Sequence, residues 1–159
     1  MKNVVIAQSG GPTTVINNSV RGVIDKLLAS KKINKIYGAK MGVLGILSEE
    51  LIDISAQDMK QINLLAETPS AGALGSCRYK IKNEKDLVRI VEVFFKHNIG
   101  YFFYNGGGDS QDTAHKVSQL SQQTDHPITC IGIPKTVDND LPITDNCPGF
   151  GSVRSEEHT

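Results

Sequence analysis

Asn105-Gly106-Gly107-Gly108-Asp109-Ser110 lies between an apolar run, Tyr101 to Tyr104, and a helix-like stretch. Three glycines at a strand-to-helix junction bring the backbone close to a ligand and leave amide N–H groups aimed at it, which suits phosphate. Asp109 then places a carboxylate where it repels the anion the loop is shaped to hold. A phosphate loop with an acid inside it is the most informative feature of this chain.

Three further segments carry chemistry. Ser9-Gly10-Gly11-Pro12 can receive phosphate on its amides, though a tight turn explains it equally well. It lacks GxGxxG spacing, and no GxxxxGK[ST] loop occurs anywhere, so the two large nucleotide-binding classes lose ground. Gly75-Ser76-Cys77-Arg78-Tyr79-Lys80 offers a guanidinium that can fork onto phosphate oxygens, an aromatic hydroxyl and a second cation. Alone, it reads as a solvated basic loop. Pro134-Lys135-Thr136-Val137-Asp138-Asn139-Asp140 sets a lysine, a hydroxyl and two carboxylates within seven positions. Two acids flanking an amide can be an Asx-turn cluster. They also suit transfer to a hydroxyl, in which a carboxylate accepts the proton and a cation stabilises the migrating group.

The pattern predicts the elements that position these segments. Val4 to Gln8, Ile33 to Ala39, Tyr101 to Tyr104 and Ile128 to Ile133 read as buried strands. Helical spacing is expected after Pro12 to Leu28, over Ser55 to Ala66 with Ser55 as N-cap, from Asn83 to about His97, and over Ser110 to Ser121. Met41 to Gly45 and Thr68 to Lys80 read as loops, and a further helix is expected to start at Gly149. Alternation of this kind predicts an α/β fold with a doubly wound, mostly parallel sheet and helices on both faces. The turns after Gln8, Ala39, Tyr104 and Ile133 then share the carboxyl edge, where ligands collect.

Bulk composition narrows the function. The 159 residues suffice for one domain with a core, and 17 basic residues balance 17 acidic ones. That balance argues against nucleic-acid or anionic-membrane binding. Cys77, Cys130 and Cys147 lack CxxC spacing, so a disulfide framework or zinc site is not expected and a reducing cytoplasm fits. No apolar run reaches spanning length, and the N-terminal run is too short for a signal peptide.

Together, Ser9-Gly10-Gly11, Gly75 to Lys80, Gly106 to Ser110 and Pro134 to Leu141 occur in the order and context of the phosphofructokinases, which the chain resembles from Met1 to about Val153. The resemblance implies phosphoryl transfer to the 1-hydroxyl of fructose 6-phosphate, with Asp138 as proton acceptor. Thr136, Val137, Asp138 and Asp140 then meet the sugar phosphate. Gly11, Arg78, Tyr79, Lys80, Gly107, Gly108 and Ser110 meet the donor. ATP users in the family generally have glycine at the positions of Asp109 and Lys135. Aspartate and lysine there resemble the pyrophosphate-dependent branch, and Lys40, where bacterial ATP users place a tyrosine, points the same way. The physics agrees: Asp109 mimics and repels a nucleotide α-phosphate, while Lys135 neutralises the smaller donor. An acid complementing the helix dipole explains Asp109 less well beside Lys135.

The resemblance implies Mg2+ as well, but Gly108 stands where the family usually has an aspartate or asparagine that helps hold it, so no protein metal ligand is assigned. It also implies a homo-oligomeric full-length parent. Arg154-Ser155-Glu156-Glu157-His158-Thr159 has no apolar stripe and matches what a common sequencing-adapter oligonucleotide encodes. The expectation is an N-terminal donor-binding portion over residues 1–153 with a non-native tail at 154–159, inactive by itself. The rivals are an ATP-dependent phosphofructokinase, a lipid or NAD kinase, and a phosphate-binding fragment without catalysis.

Overall fold

A computed structural model describes residues 1–68 and 71–151. The tail expected at 154–159 lies outside the described residues. Five strands form one sheet: β1 (Lys2–Gln8), β2 (Ile33–Ala39), β3 (Leu51–Asp53), β4 (Ile99–Gly106) and β5 (Thr129–Pro134). Their spatial order is β3-β2-β1-β4-β5. The β1–β2, β1–β4 and β4–β5 pairs are parallel, and only β2–β3 is antiparallel. This is the α/β, mostly parallel architecture the alternation predicts.

Strand β1 shows why the sheet has helices on both faces. Successive strand side chains point to opposite faces. Val5 and Ala7 join one apolar cluster with Ile90, Phe94, Phe102 and Val117. Val4 and Ile6 join a second with Val20, Ile24, Ile36 and Ile62. Helices α4 (Glu84–Lys96) and α5 (Gly108–Ser121) therefore cover one face, with the short α2 (Val43–Leu47). Helix α1 (Thr14–Leu28) and the short α3 (Met59–Asn63) cover the other.

Several expectations are corrected. The helix expected over Ser55 to Ala66 is broken into 3-10 turns at Ile54–Ala56 and Leu64–Ala66 around α3. Asp58, not Ser55, caps α3 by accepting from the Lys60 N–H, after Gln57 takes an extended conformation. The loop at Met41 to Gly45 contains the start of α2, where Gly45 packs on Lys40 so closely that a Cβ would lie 1.9 Å from its carbonyl oxygen. Asn83 caps α4 as expected, its side chain accepting from the Asp86 N–H at 2.8 Å. The buried residues of α4 are Ile90, Val91, Val93 and Phe94, while Val88 and Phe95 are exposed. Strand β5 is not the buried strand expected: as the edge strand it is exposed or half-buried throughout. Helical geometry starts at Phe150 and Gly151, the last described residues. Among the described residues no helix is long and apolar enough to cross a membrane.

Candidate active site

Four segments meet at the carboxyl edge of the sheet around a cavity of about 310 Å³. Ser9, Gly10 and Gly11 follow β1, and Cys77, Arg78 and Tyr79 come from the loop before α4. Gly107 to Ser110 follow β4, and Lys135 to Asp138 with Asp140 follow β5. This is the small end of ligand cavities, which run roughly 300–1,000 Å³. Every site residue expected from the sequence lines it except Lys80, which binds Asp109 instead.

The backbone is held for this purpose. Gly10 has φ +84, a left-handed conformation that favours glycine, and its N–H donates to the Cys77 carbonyl at 2.8 Å. Ser76 Oγ donates to the Gly10 carbonyl at 2.7 Å, so the first and second segments are stitched together. The Lys135 N–H donates to the Gly106 carbonyl at 3.0 Å, joining the third and fourth. Helix α5 starts from Gly107 with no side-chain cap, so its first amides stay open to a ligand. The fourth segment turns at Asn139, φ 56, whose side chain accepts from the Cys147 N–H and donates to the Asp145 carbonyl.

Charge is distributed unevenly. Lys135 is 2% exposed, and its Nζ donates to the Gly11 carbonyl at 2.5 Å. Burial lowers its pKa, the neighbouring Arg78 guanidinium lowers it further, and Asp138 opposes both. Among the described residues neither Lys135 nor Arg78 has a salt-bridge partner. Two cations that make no salt bridge thus share one space with three carboxylates, Asp109, Asp138 and Asp140. Asp109 lies at the mouth, paired with Lys80 at 2.7 Å. Both side chains are exposed, so the pair orients Asp109 more than it stabilises the fold. Asp140 Oδ1 accepts from Thr136 Oγ1 at 2.7 Å, and Thr136 Oγ1 accepts from the Asp138 N–H. These bonds hold the loop and leave the Asp138 carboxylate without a hydrogen bond among the described residues.

Sequence reasoning missed Tyr104. As the last aromatic of an apolar run it reads as core, yet its hydroxyl end lines the cavity. Cys77, buried at the edge of the core, lines it too, and all three cysteines are free. No group of three or more His, Cys, Asp or Glu that could hold a metal occurs among the described residues. A Cβ on Gly108 would meet nothing within 4 Å, so that position offers space without a ligand. Among the described residues, then, no cluster of ligands marks a resident magnesium site.

A family model described as phosphofructokinase matches residues 3–156. The chain belongs to the phosphofructokinase family. It is 54% identical over 156 residues to the pyrophosphate–fructose 6-phosphate 1-phosphotransferase of Halomonas elongata, covering 95% of this chain and 37% of that protein. With the protein of the same name from Methylococcus capsulatus it shares 53% over 157 residues, covering 96% and 37%. Among solved structures, the pyrophosphate-dependent phosphofructokinase of Marinobacter aquaeolei superposes with a TM-score of 0.90 at 57% identity, over 98% of this chain and 39% of that one. The chain thus spans a little over a third of the length of these phosphofructokinases.

Proposed function

We propose that these residues are the donor-binding portion of a pyrophosphate-dependent phosphofructokinase. The activity is transfer of a phosphoryl group from pyrophosphate to the 1-hydroxyl of fructose 6-phosphate. The observation that carries this reading is that Asp109 and Lys135 line one cavity. The names of the relatives from Halomonas and Methylococcus support it.

In the proposed reaction Asp138 takes the proton of the 1-hydroxyl as that oxygen attacks the nearer phosphorus. The bond from phosphorus to the bridging oxygen breaks, and inorganic phosphate leaves. Lys135, Arg78 and the amides near Gly11 and Gly107 face the charge that spreads over the phosphoryl oxygens. Thr136, Val137 and Asp140 hold Asp138 beside the sugar phosphate. Lys80 keeps the Asp109 carboxylate at the mouth, where it excludes a nucleotide by charge and volume. The bond formed resembles the bond broken, so the reaction runs readily both ways. Any magnesium used by the family would come with the phosphates, since this metal keeps much of its water shell, and no step here is assigned to it.

Residues 1–153 are proposed as one functional portion, the full-length parent as a homo-oligomer, and its setting as the cytoplasm, consistent with three free cysteines. The 159-residue chain is expected to be inactive alone. The test is turnover by the full-length parent with pyrophosphate and with ATP, side by side. Efficient turnover with ATP alone removes the donor assignment, and no transfer with either removes the enzyme reading.

A further inference from the structure

The floor of the cavity is made of three hydroxyls that no other polar side chain claims. Ser9 and Ser110, from the first and third segments, are 5% exposed and hydrogen-bonded to each other through their Oγ atoms. Gly106 is required beneath them: a Cβ there would lie 2.3 Å from Ser110 Oγ and 2.7 Å from Ser9 Oγ. Tyr104 is 1% exposed, its ring stacked on Phe102 with centroids 5.2 Å apart. That packing drives its hydroxyl up to the two serines, and all three residues line the cavity.

The donors and acceptors can be counted. A hydroxyl carries one hydrogen and two lone pairs. The three hydroxyls bring three hydrogens and six lone pairs: the serines bond each other, both stand beside the Tyr104 oxygen, and no carboxylate or backbone carbonyl accepts from the three in the described structure. The Val43 N–H turns a further donor toward the tyrosine oxygen. With no acceptor fixed outside the cluster, these hydroxyl hydrogens can turn to one that enters the cavity. Burial pushes the Tyr104 hydroxyl up to about 12, so it stays protonated at any working pH.

We propose that Tyr104 is a donor-binding residue, giving its O–H, beside Ser9 and Ser110, to a phosphate oxygen of the bound diphosphate. The inference rests on the functional reading above and deepens it, since it names the contact at the closed end of the donor site. The two serines then fix the position of the tyrosine oxygen, and Lys135 faces the same ligand from the side.

Tyr104→Phe in the full-length parent tests it, because phenylalanine keeps the ring packing and removes one oxygen. The expected result is a KM for pyrophosphate raised roughly tenfold with kcat changed less than about threefold, the signature of lost ground-state binding. The KM for fructose 6-phosphate and the melting temperature should stay near wild type. Titration calorimetry with inorganic pyrophosphate alone should show the same loss of affinity. A pyrophosphate KM within about twofold of wild type, or equal rises in both KM values, overturns the inference while leaving the function standing. If the wild type uses ATP alone, the functional reading falls, and the same comparison made on the KM for ATP decides the tyrosine separately.

Discussion

Two charged clusters sit at different places in this molecule, and they are built on opposite principles. At one, the carboxylate of Glu49 receives Arg89 at 2.7 Å, Lys96 at 2.7 Å and His97 at 3.0 Å. It ties the turn after α2 to the end of α4, and those three partners hold its pKa at about 2, Lys96 contributing most. At the other, Lys135 and Arg78 border a cavity and make no salt bridge of their own among the described residues, and the Asp138 carboxylate acts on Lys135 through charge alone. Charges satisfied within the chain hold structure. Charges left unsatisfied around a space are kept for a ligand, and the stability given up there is what binding recovers.

Breaking the second cluster should cost activity, and the largest effect is expected at Asp138. In the full-length parent Asp138→Asn should lower kcat by roughly 10²–10⁴, the usual contribution of a general base, with the melting temperature nearly unchanged. A kcat within tenfold of wild type removes Asp138 from that role. Lys135→Met comes next, with the KM for pyrophosphate rising about 10- to 100-fold. The wild-type enzyme carries a further signature there. The folded pKa of Lys135 is lowered, so the ammonium that binds the anion is intact at low pH and is lost as pH rises through a value below that of ordinary lysine. The pyrophosphate kcat/KM should therefore fall on the alkaline side, and Lys135→Met should flatten that limb.

The smallest effect sharpens the contrast from the other side. Glu49→Gln should leave both KM values unchanged, because it touches no cavity residue. Its signature is in stability against pH. An acid with a depressed folded pKa stabilises the protein above its ordinary value, 4.5, and that contribution disappears as pH falls toward about 2. Wild type should lose stability across that window, and the variant should lose less of it in denaturant titrations at stepped pH.

What the sequence revealed depended on how far each signal extended along the chain. Strand β1 was legible because Val4, Val5, Ile6 and Ala7 form an unbroken buried run, and α4 because a long apolar stripe follows an Asn83 cap. Strand β3 was not, since three residues at an antiparallel edge set no period. Helix α2 was hidden by Gly42 and Gly45, which read as punctuation but serve close packing against Gln8, Cys77 and Lys40. The four segments around the cavity were visible as motifs, and the structure gathers them at one edge of the sheet. Which way their side chains point was not visible. Lys80 reads as a ligand contact yet pairs with Asp109, and Tyr104 reads as core yet reaches the cavity floor. Both depend on contacts between distant segments, which no local pattern encodes.

The Lys135-to-Gly11 hydrogen bond joins positions 124 apart in the chain, across the ends of β1 and β5 with β4 between them. It needs all three strands docked, so the pocket is complete only in the assembled sheet. An anion that enters it selects the finished sheet over every partly assembled one. A ligand that bridged those strand ends would hold the carboxyl edge of the sheet together as well as fill the cavity.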